Sequence, residues 1–298
     1  MKIHIAYETT ENPYGGANQF IKALKNNFIE KGLYVEDVIK TELILFNSHH
    51  DVEKIVNLKN SFPKKKFIHR VDGPIKLYNH LNDTRDNIVS FLNSHIADAT
   101  IFQSEWSRQQ NLNLGIIQSH VLSTVIGNAA DTNIFKRQDK DPGDKVRILS
   151  TSFSPNMRKG YGYYKFLDEN LDFNNFEYNF AGQSPIEFEN IKNLGCLTSD
   201  EIASKINESD LFITASENDP CSNSLIEALT GGIPALALDS GGHPEILKEG
   251  GMLFKTKKDI LEKVKEMSNN LEYFRNKIET NNMEEIANRY LNFLKKVL

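Results

Sequence analysis

The chain has 298 residues, 39% of them hydrophobic and 25% charged, which indicates a globular protein with a sizeable core in two ordinary domains or one large one. A net charge of −5 argues against bulk nucleic-acid binding, because that requires a basic face. The two cysteines, Cys196 and Cys221, match no metal spacing and no disulfide framework, which indicates a reducing compartment. We find neither a signal peptide nor an apolar run of about 20 residues. We therefore expect a cytoplasmic protein, and peripheral contact with the inner face of the membrane stays open.

The chain opens with a strand, a glycine loop and a helix. Residues 2–8 alternate like a strand, residues 9–16 are turn formers, and residues 17–30 have helical periodicity. The pair Gly15-Gly16 is not a complete GxGxxG fingerprint. It fits either a tight turn or a backbone that approaches a ligand at a helix N-terminus.

The rest of the first half alternates strands with helices, which indicates an α/β fold with a parallel sheet. Residues 127–144 are polar and rich in turn formers, so they form the best linker candidate. A second series of strands and helices follows, which predicts two similar domains facing across a cleft. Strands are predicted at 43–46, 64–71, 99–102, 120–126, 146–150, 176–181, 211–214 and 233–238, and helices at 51–60, 81–96, 104–114, 161–169, 199–206 and within 257–298.

The stretch 216–247 gathers polar residues where a strand ends. The strand 211–214 enters a loop that contains Asp219, a helix starts near Leu225, and Gly231 and Gly232 end that helix. Ligands of open parallel sheets bind at the carboxyl ends of strands. This stretch is therefore the predicted ligand site.

Several short motifs follow one another along the chain: Gly15-Gly16-Ala17, residues 125–135, Lys159-Gly160, residues 210–216 and the Gly241-Gly242 loop with Glu245. Asp219 stands eight residues before Glu227. In this order the motifs resemble those of retaining GT-B glycosyltransferases of family 4 type, also described as glycosyl transferases group 1, and the resemblance covers most of the chain. The family has E-x7-E where this chain has Asp219 and Glu227, and residues 150–156 contain no counterpart of the family's Gly-Arg, for which Arg158 is the candidate substitute.

The resemblance implies a GT-B fold, with two Rossmann-like parallel-sheet domains facing across a cleft. Residues 1–138 are expected to hold the acceptor, and residues 139–282 are expected to bind a nucleotide sugar. The C-terminal helix, residues 283–298, is expected to pack back on the first domain.

The resemblance also implies the donor-binding residues. Lys159 and Arg158 are expected to neutralise the diphosphate, and Glu227 to accept hydrogen bonds from the ribose hydroxyls. An alternative for Glu227 is a capping box with Ser224, three residues before it. Backbone or side-chain contacts to the donor are expected from Gly16, Ser222, Asn223, Ser224 and Leu225.

Three residues are predicted to serve catalysis, namely Asp219, Lys159 and Asp72. Asp219 is expected to face the donor sugar or the charge that develops at its anomeric carbon. Asp72 and Arg70 end a strand on the acceptor side, where Asp72 is expected to orient the acceptor hydroxyl or take up its proton. The alternative for both aspartates is turn formation, in Asn-Asp-Pro and Asp-Gly-Pro respectively.

The implied activity is transfer of a hexosyl group, with retention, from a UDP- or GDP-linked sugar to a hydroxyl of a glycan, a lipid or another acceptor. We expect no cofactor and no metal, because metal-free enzymes of the kind that the chain resembles use cations and helix N-termini at the diphosphate. Two alternatives stay open: a sugar-nucleotide 2-epimerase, and a non-catalytic nucleotide-sugar-binding protein. The base, the sugar, the acceptor and the oligomeric state do not follow from the sequence.

Overall fold

The structure is a computed structural model that describes residues 1–9, 16–119, 122–138 and 143–298, with the side chains of residues 16 and 17 left out. Its contacts divide the chain into two compact units. The first contains Met1–Thr9, Asn18–Asn128 and Asn281–Leu298, and the second contains Ala129–Thr280. The change of unit therefore falls ten residues before the predicted end of the first domain at residue 138. The described helices include none that is long and apolar enough to span a bilayer.

The first unit is a five-stranded parallel sheet with helices between successive strands. Its longest helix after α1 is the C-terminal one, whose residues Ile286, Tyr290 and Leu294 are buried at a helical spacing of four. The ring of Tyr290 lies 6.3 Å from that of Phe20. The elements are β1 Ile3–Ala6, α1 Gly16–Glu30, β2 Leu43–Asn47, α2 Val52–Ser61, β3 Lys66–Val71, α3 Ile75–Tyr78, α4 Arg85–His95, β4 Ala99–Phe102, α5 Glu105–Asn113, β5 Ser123–Val125 and α12 Met283–Val297.

The strands of this sheet follow the order β1-β2-β3-β4-β5. A parallel bridge between Ile3 and Tyr34 adds one residue pair on the side of β1 away from β2. The chain therefore moves to one side after β1 and returns to the other side for β2. This reversal creates a topological switch point at the carboxyl ends of β1 and β2, where open α/β sheets bind ligands.

The second unit is a six-stranded parallel sheet with helices on both faces. It also contains two short elements, the 3₁₀ helix Met157–Lys159 and the two-residue strand Lys192–Asn193. The elements are β6 Val146–Ser152, α6 Tyr161–Asn170, β7 Phe176–Gly182, β8 Lys192–Asn193, α7 Ser199–Glu208, β9 Leu211–Thr214, α8 Asn223–Thr230, β10 Ala235–Leu238, α9 His243–Leu247, β11 Gly251–Phe254, α10 Lys257–Ser268 and α11 Leu271–Arg275.

The strand order of the second sheet is β11-β10-β9-β6-β7-β8, so the direction reverses between β6 and β9. Ile148 of β6 pairs with Tyr178 of β7 on one side and with Leu211 of β9 on the other. The switch point of this unit therefore lies where β6 and β9 end. The loops that follow these two strands meet there.

Burial on both faces explains why the inner strands β9 and β10 are nearly continuous apolar runs. Along β9, Leu211 and Ile213 enter one core cluster with α6 and α10, whereas Phe212 enters the other with α7 and α8. Leu236 and Ala237 of β10 divide in the same way. An apolar strand of this kind predicts burial but does not by itself tell which cluster each residue joins.

Several predicted bounds move in the structure. The predicted helix 81–96 begins only at Arg85, and the predicted strand 64–71 begins at Lys66. The predicted helix 51–60 begins at Val52, and Asp51 before it has a left-handed backbone, at φ 53°, and makes no side-chain capping hydrogen bond. Strand β11 was not predicted. The residues 120–121 of the predicted strand 120–126, and most of the loop before α1, lie outside the described residues.

Candidate functional site

The switch point of the second sheet brings together two predicted residues that are 60 positions apart. Lys159 lies in the loop after β6, and Asp219 lies in the loop after β9. Nζ of Lys159 is 3.0 Å from Oδ2 of Asp219. Both side chains are partly shielded, with exposed fractions of 28% and 14%. Sheet topology therefore produces an ion pair at the edge where ligands bind.

The position of Lys159 depends on a short polar turn and on a glycine. The side chain of Asn156 caps the 3₁₀ helix by accepting the N–H of Arg158 at 2.9 Å. Gly160 has φ +92°, and a Cβ there would overlap Ala215 at the end of β9. The Lys-Gly pair is thus explained by packing: glycine allows the loop to approach β9, which carries the lysine toward Asp219.

Hydrogen bonds from backbone N–H groups fix the loop that carries Asp219. Asn218 has a left-handed backbone, at φ 55°, and donates its N–H to Oγ of Ser240 at 2.9 Å. The N–H of Gly242 donates to the carbonyl of Asp219 at 2.8 Å. Gly241 has φ +62°, and a Cβ there would overlap the backbone of Asp219. The Gly241-Gly242 pair therefore positions Asp219, a role that the sequence did not reveal.

Burial of Asp219 favours its neutral form, but nearby positive charge prevails. Lys159 supplies this charge, and the N–H of Cys221 donates to Oδ1 at 3.2 Å. These groups hold the pKa of Asp219 below its usual value despite the burial. Asp219 is therefore a carboxylate at neutral pH. Its hydrogen bond to Cys221 shows that Asp219 also forms a turn, as the alternative predicted.

Helix α8 begins beside this pair. Its N-cap is Ser222, whose Oγ accepts the N–H of Leu225 at 3.4 Å. The first turn holds Asn223, Ser224 and Leu225, so their N–H groups lie at the positive end of the helix dipole. The capping-box alternative for Glu227 is wrong, because the cap is Ser222 and Glu227 lies four positions after the first helical residue.

Glu227 is half-buried on α8, and within the described part of the chain neither a hydrogen-bond donor nor a charge compensates its carboxyl group. Burial alone raises its pKa from 4.5 to about 8. A buried acid of this kind is costly unless a partner supplies hydrogen bonds. Glu227 is therefore an acceptor whose donors are not provided by its own protein neighbours.

Arg158 and Gly16 complete the set of residues that were predicted to bind the donor. Nη1 of Arg158 lies 3.8 Å from Glu217, and the carbonyl of Arg158 accepts the N–H of Glu217 at 2.7 Å. Arg158 thus ties the two loops together beside Lys159. Gly16 is the first residue of α1, and the loop before it, including Gly15, lies outside the described residues.

The predicted acceptor-side pair lies at the end of β3 in the first unit. Arg70 is fully buried, so its guanidinium meets protein groups and not solvent. It donates to Asn47 at 2.5 Å and to Asn128 at 2.7 Å, and its Nη1 is 3.6 Å from Asp72. Asp72 keeps 17% of its side chain exposed and also accepts from Gln103. Arg70 is thus a support for Asp72.

A second feature of the first unit was not predicted. An open groove of about 610 Å³ runs from Glu8, just after β1, to Asp51 and the exposed side of α2. It lies at the switch point between β1 and β2. The loop after β2 that leads to this groove has left-handed backbone at Ser48, φ 49°, and at Asp51, φ 53°. Nothing in the sequence indicated this conformation.

The sheet orders and the solved structures define the fold class: the chain has the GT-B fold, with two Rossmann-like parallel-sheet domains. Residues 188–287 match the family model "Glycosyl transferases group 1". A search of curated proteins found no match.

Three solved structures illustrate the likeness. Sucrose-phosphate synthase from Thermosynechococcus elongatus has a TM-score of 0.80 and 13% identity, covering 99% of this chain and 98% of its own. HepE from Anabaena, in complex with UDP and glucose, has a TM-score of 0.78 and 14% identity, covering 99% of this chain and 100% of its own. The pneumococcal O-GlcNAc transferase GtfA, in complex with UDP and GlcNAc, has a TM-score of 0.64 and 13% identity, covering 86% of this chain and 56% of its own. At these identities the likeness establishes the fold alone.

Proposed function

We propose that this chain is a retaining, metal-independent glycosyltransferase of family 4 type. It transfers a hexosyl group from a UDP- or GDP-linked sugar to a hydroxyl of a glycan, lipid or other acceptor. The observation that carries the proposal is the Lys159–Asp219 ion pair at the switch point of the second sheet, with the unpartnered Glu227 on the helix that starts beside it.

The donor fits this arrangement group by group. A nucleotide sugar carries a diphosphate whose charge grows when the glycosidic bond breaks, and a lysine together with a helix N-terminus stabilises such charge. Lys159 and the first turn of α8, with Arg158 nearby, supply these elements. Asp219 is left to face the sugar or the positive charge at its anomeric carbon.

Glu227 fits the nucleoside. Two vicinal ribose hydroxyls are donors that a carboxylate accepts, and Glu227 is a half-buried carboxyl group without donors from its neighbours. The ribose hydroxyls would donate the hydrogen bonds that neighbouring protein groups do not donate to Glu227. This assigns the base-and-ribose end of the donor to the first turns of α8.

The acceptor side is assigned to the first unit. Asp72 is held by Arg70 and Gln103 and keeps part of its side chain exposed, which suits a group that orients a hydroxyl. The groove at Glu8 and Asp51 offers hydrogen-bond acceptors along α2. The leaving phosphate is expected to help deprotonate the acceptor, so no enzyme nucleophile is assigned.

The first experiment is a thermal-shift and calorimetric screen of UDP-, GDP- and ADP-linked sugars, followed by assay of nucleotide release with EDTA present. A donor at about 100 times its Kd adds about 2.7 kcal/mol of stability. Release of the nucleotide in EDTA supports the proposal. Absence of a shift with every donor would contradict it.

The same screen separates the alternatives. An epimerase interconverts the sugar of the nucleotide without any acceptor. A non-catalytic binding protein binds a donor but releases no nucleotide with any acceptor. To test the assigned nucleoside end, we expect Glu227→Gln to lose most of the preference for UDP over 2′,3′-dideoxy-UDP, about 10- to 100-fold. The exposed Glu262→Gln serves as its control.

A further inference from the structure

One buried group beside the proposed donor site has no role in the mechanism above. His243 follows Gly242 and is completely buried. Its Nδ1 lies 2.9 Å from the carbonyl oxygen of Leu238. Because a carbonyl only accepts, Nδ1 carries a proton and donates it to this bond.

The other ring nitrogen of His243, Nε2, has a different environment. Nε2 of His243 is buried and has no hydrogen-bond partner among the described residues. Buried polar atoms are almost always paired, so an unpaired ring nitrogen requires an explanation. In the neutral ring Nε2 is a bare acceptor, ready to take a proton.

The charged groups that interact with His243 are Asp219 and Lys159. Of the elements packed against α9, β10 and β11 carry no titratable residue and α8 carries only Glu227, while Glu245 on α9 itself is exposed. In the free protein Lys159 compensates Asp219, and burial keeps the pKa of His243 below its usual value. The ring is therefore neutral while the ion pair is intact.

A diphosphate changes this balance, since its charge competes with Asp219 for Lys159. Asp219 does not move away, because Gly242 and Ser240 hold its loop. A largely buried carboxylate that loses its cation must either take up a proton itself or gain another cation.

We propose that His243 is a positioning residue that supplies this cation. When a diphosphate draws Lys159 away, Nε2 of His243 takes a proton from solvent, and the imidazolium keeps Asp219 ionised and oriented toward the sugar. The inference rests on the proposed function, because it needs a diphosphate at Lys159. It predicts that donor binding is coupled to uptake of up to one proton.

The test is calorimetric titration with UDP-glucose, a ligand with which HepE has been crystallised. Its diphosphate is doubly esterified and does not titrate near neutral pH, so proton exchange reports on the protein. Titrations near pH 7 in two buffers with different ionisation enthalpies measure the protons taken up. The key comparison is between the wild type and His243→Asn, whose amide retains a donor near Leu238 but cannot take a proton. His243→Gln is the second variant if His243→Asn does not fold.

Glu227 also exchanges a proton when ribose binds, so the comparison is repeated in Glu227→Gln, where that contribution is absent. In the Glu227→Gln background we expect proton uptake on UDP-glucose binding while His243 is present. We expect no proton uptake in the double variant Glu227→Gln/His243→Asn. Lys159→Ala should likewise abolish the uptake attributed to His243, because no lysine leaves Asp219 on binding. We also expect UDP-glucose affinity to favour the wild type over His243→Asn most strongly near pH 6, about tenfold, with the ratio approaching one above pH 8.

The outcomes are separable. Binding with the same proton count in the wild type and His243→Asn overturns the role of His243 and leaves the proposed function intact. A lower melting temperature in His243→Asn with an unchanged proton count would show a packing role only, and would overturn the inference as well. No binding of UDP-glucose to the wild type would overturn the inference and count against the proposed function.

Discussion

Nζ of Lys159 lies 3.0 Å from Oδ2 of Asp219 in the free protein, although each residue is expected to contact a different part of the donor. In the proposed function the diphosphate would take Lys159 away from Asp219, so donor binding would break the pair. Partial burial strengthens the Coulomb attraction between the two charges relative to a fully exposed pair.

Lys159→Ala and Asp219→Asn should each reduce transfer by about 100-fold, because each removes a charge that acts on the reacting groups. Both variants should keep the fold, since neither residue belongs to the core. Nucleotide release and the circular dichroism spectrum are the measurements. Lys258→Ala, at a lysine that is 89% exposed, is the control and should be unchanged. Two well-folded variants with wild-type activity would contradict the assignment.

Glu227 gives stability a distinct pH dependence. Its pKa of about 8 in the folded protein exceeds the value of 4.5 expected when the chain unfolds, so the folded state binds more protons between these two values. The contribution of Glu227 to stability is therefore complete below about pH 4.5 and decreases as pH rises toward 8. The change in melting temperature across this range should be smaller in Glu227→Gln than in the wild type. Parallel curves for the two proteins would show that Glu227 is not buried as described.

The same titration affects donor binding in the opposite sense. Because ribose donates hydrogen bonds to the carboxylate, Glu227 must lose its proton when the nucleoside binds. Affinity for uridine, which lacks the diphosphate, should therefore rise as pH increases toward 8, by up to tenfold per unit. Glu227→Gln should be insensitive to pH over this range. Calorimetric titration at several pH values is the measurement.

Gly241→Ala tests the support beneath Asp219. The substitution strains a left-handed backbone, at about 1–2 kcal/mol, and also drives a Cβ into the backbone of Asp219. Gly195→Ala is a matched control, because Gly195 has φ +71° but nothing within 4 Å of the added Cβ. We expect both variants to lose stability and only Gly241→Ala to lose donor affinity as well. Equal donor affinities would show that the close approach does not position Asp219.

Arg70→Met tests the buried polar network of the first unit. Removal of this guanidinium takes one donor from Asn47, one donor from Asn128 and the nearby cation from Asp72, at a cost of about 3–5 kcal/mol. Arg108→Met is the control, since Arg108 is half-exposed and pairs with Glu105 at 3.3 Å on the surface. Urea denaturation gives the loss in the free energy of unfolding for Arg70→Met and for Arg108→Met. A loss below 1 kcal/mol in Arg70→Met would mean that the network is not a support.

The amino-acid sequence alone determined most of the elements, because apolar strands and amphipathic helices have different periods and glycines mark their ends. The strand 211–214 was predicted at its observed bounds. Motif order also indicated the fold class, which the sheet topology and the solved structures confirm.

Only the tertiary structure decided which of these residues meet and how they are charged. No local pattern tells that Gly241 lies against Asp219, that Arg70 is buried, or that Ser222 and not Ser224 caps α8. Each depends on loops that return to the same sheet edge from distant parts of the chain. The pKa of Glu227 and the unpaired Nε2 of His243 depend on burial, which is a property of the packed protein and not of a sequence window.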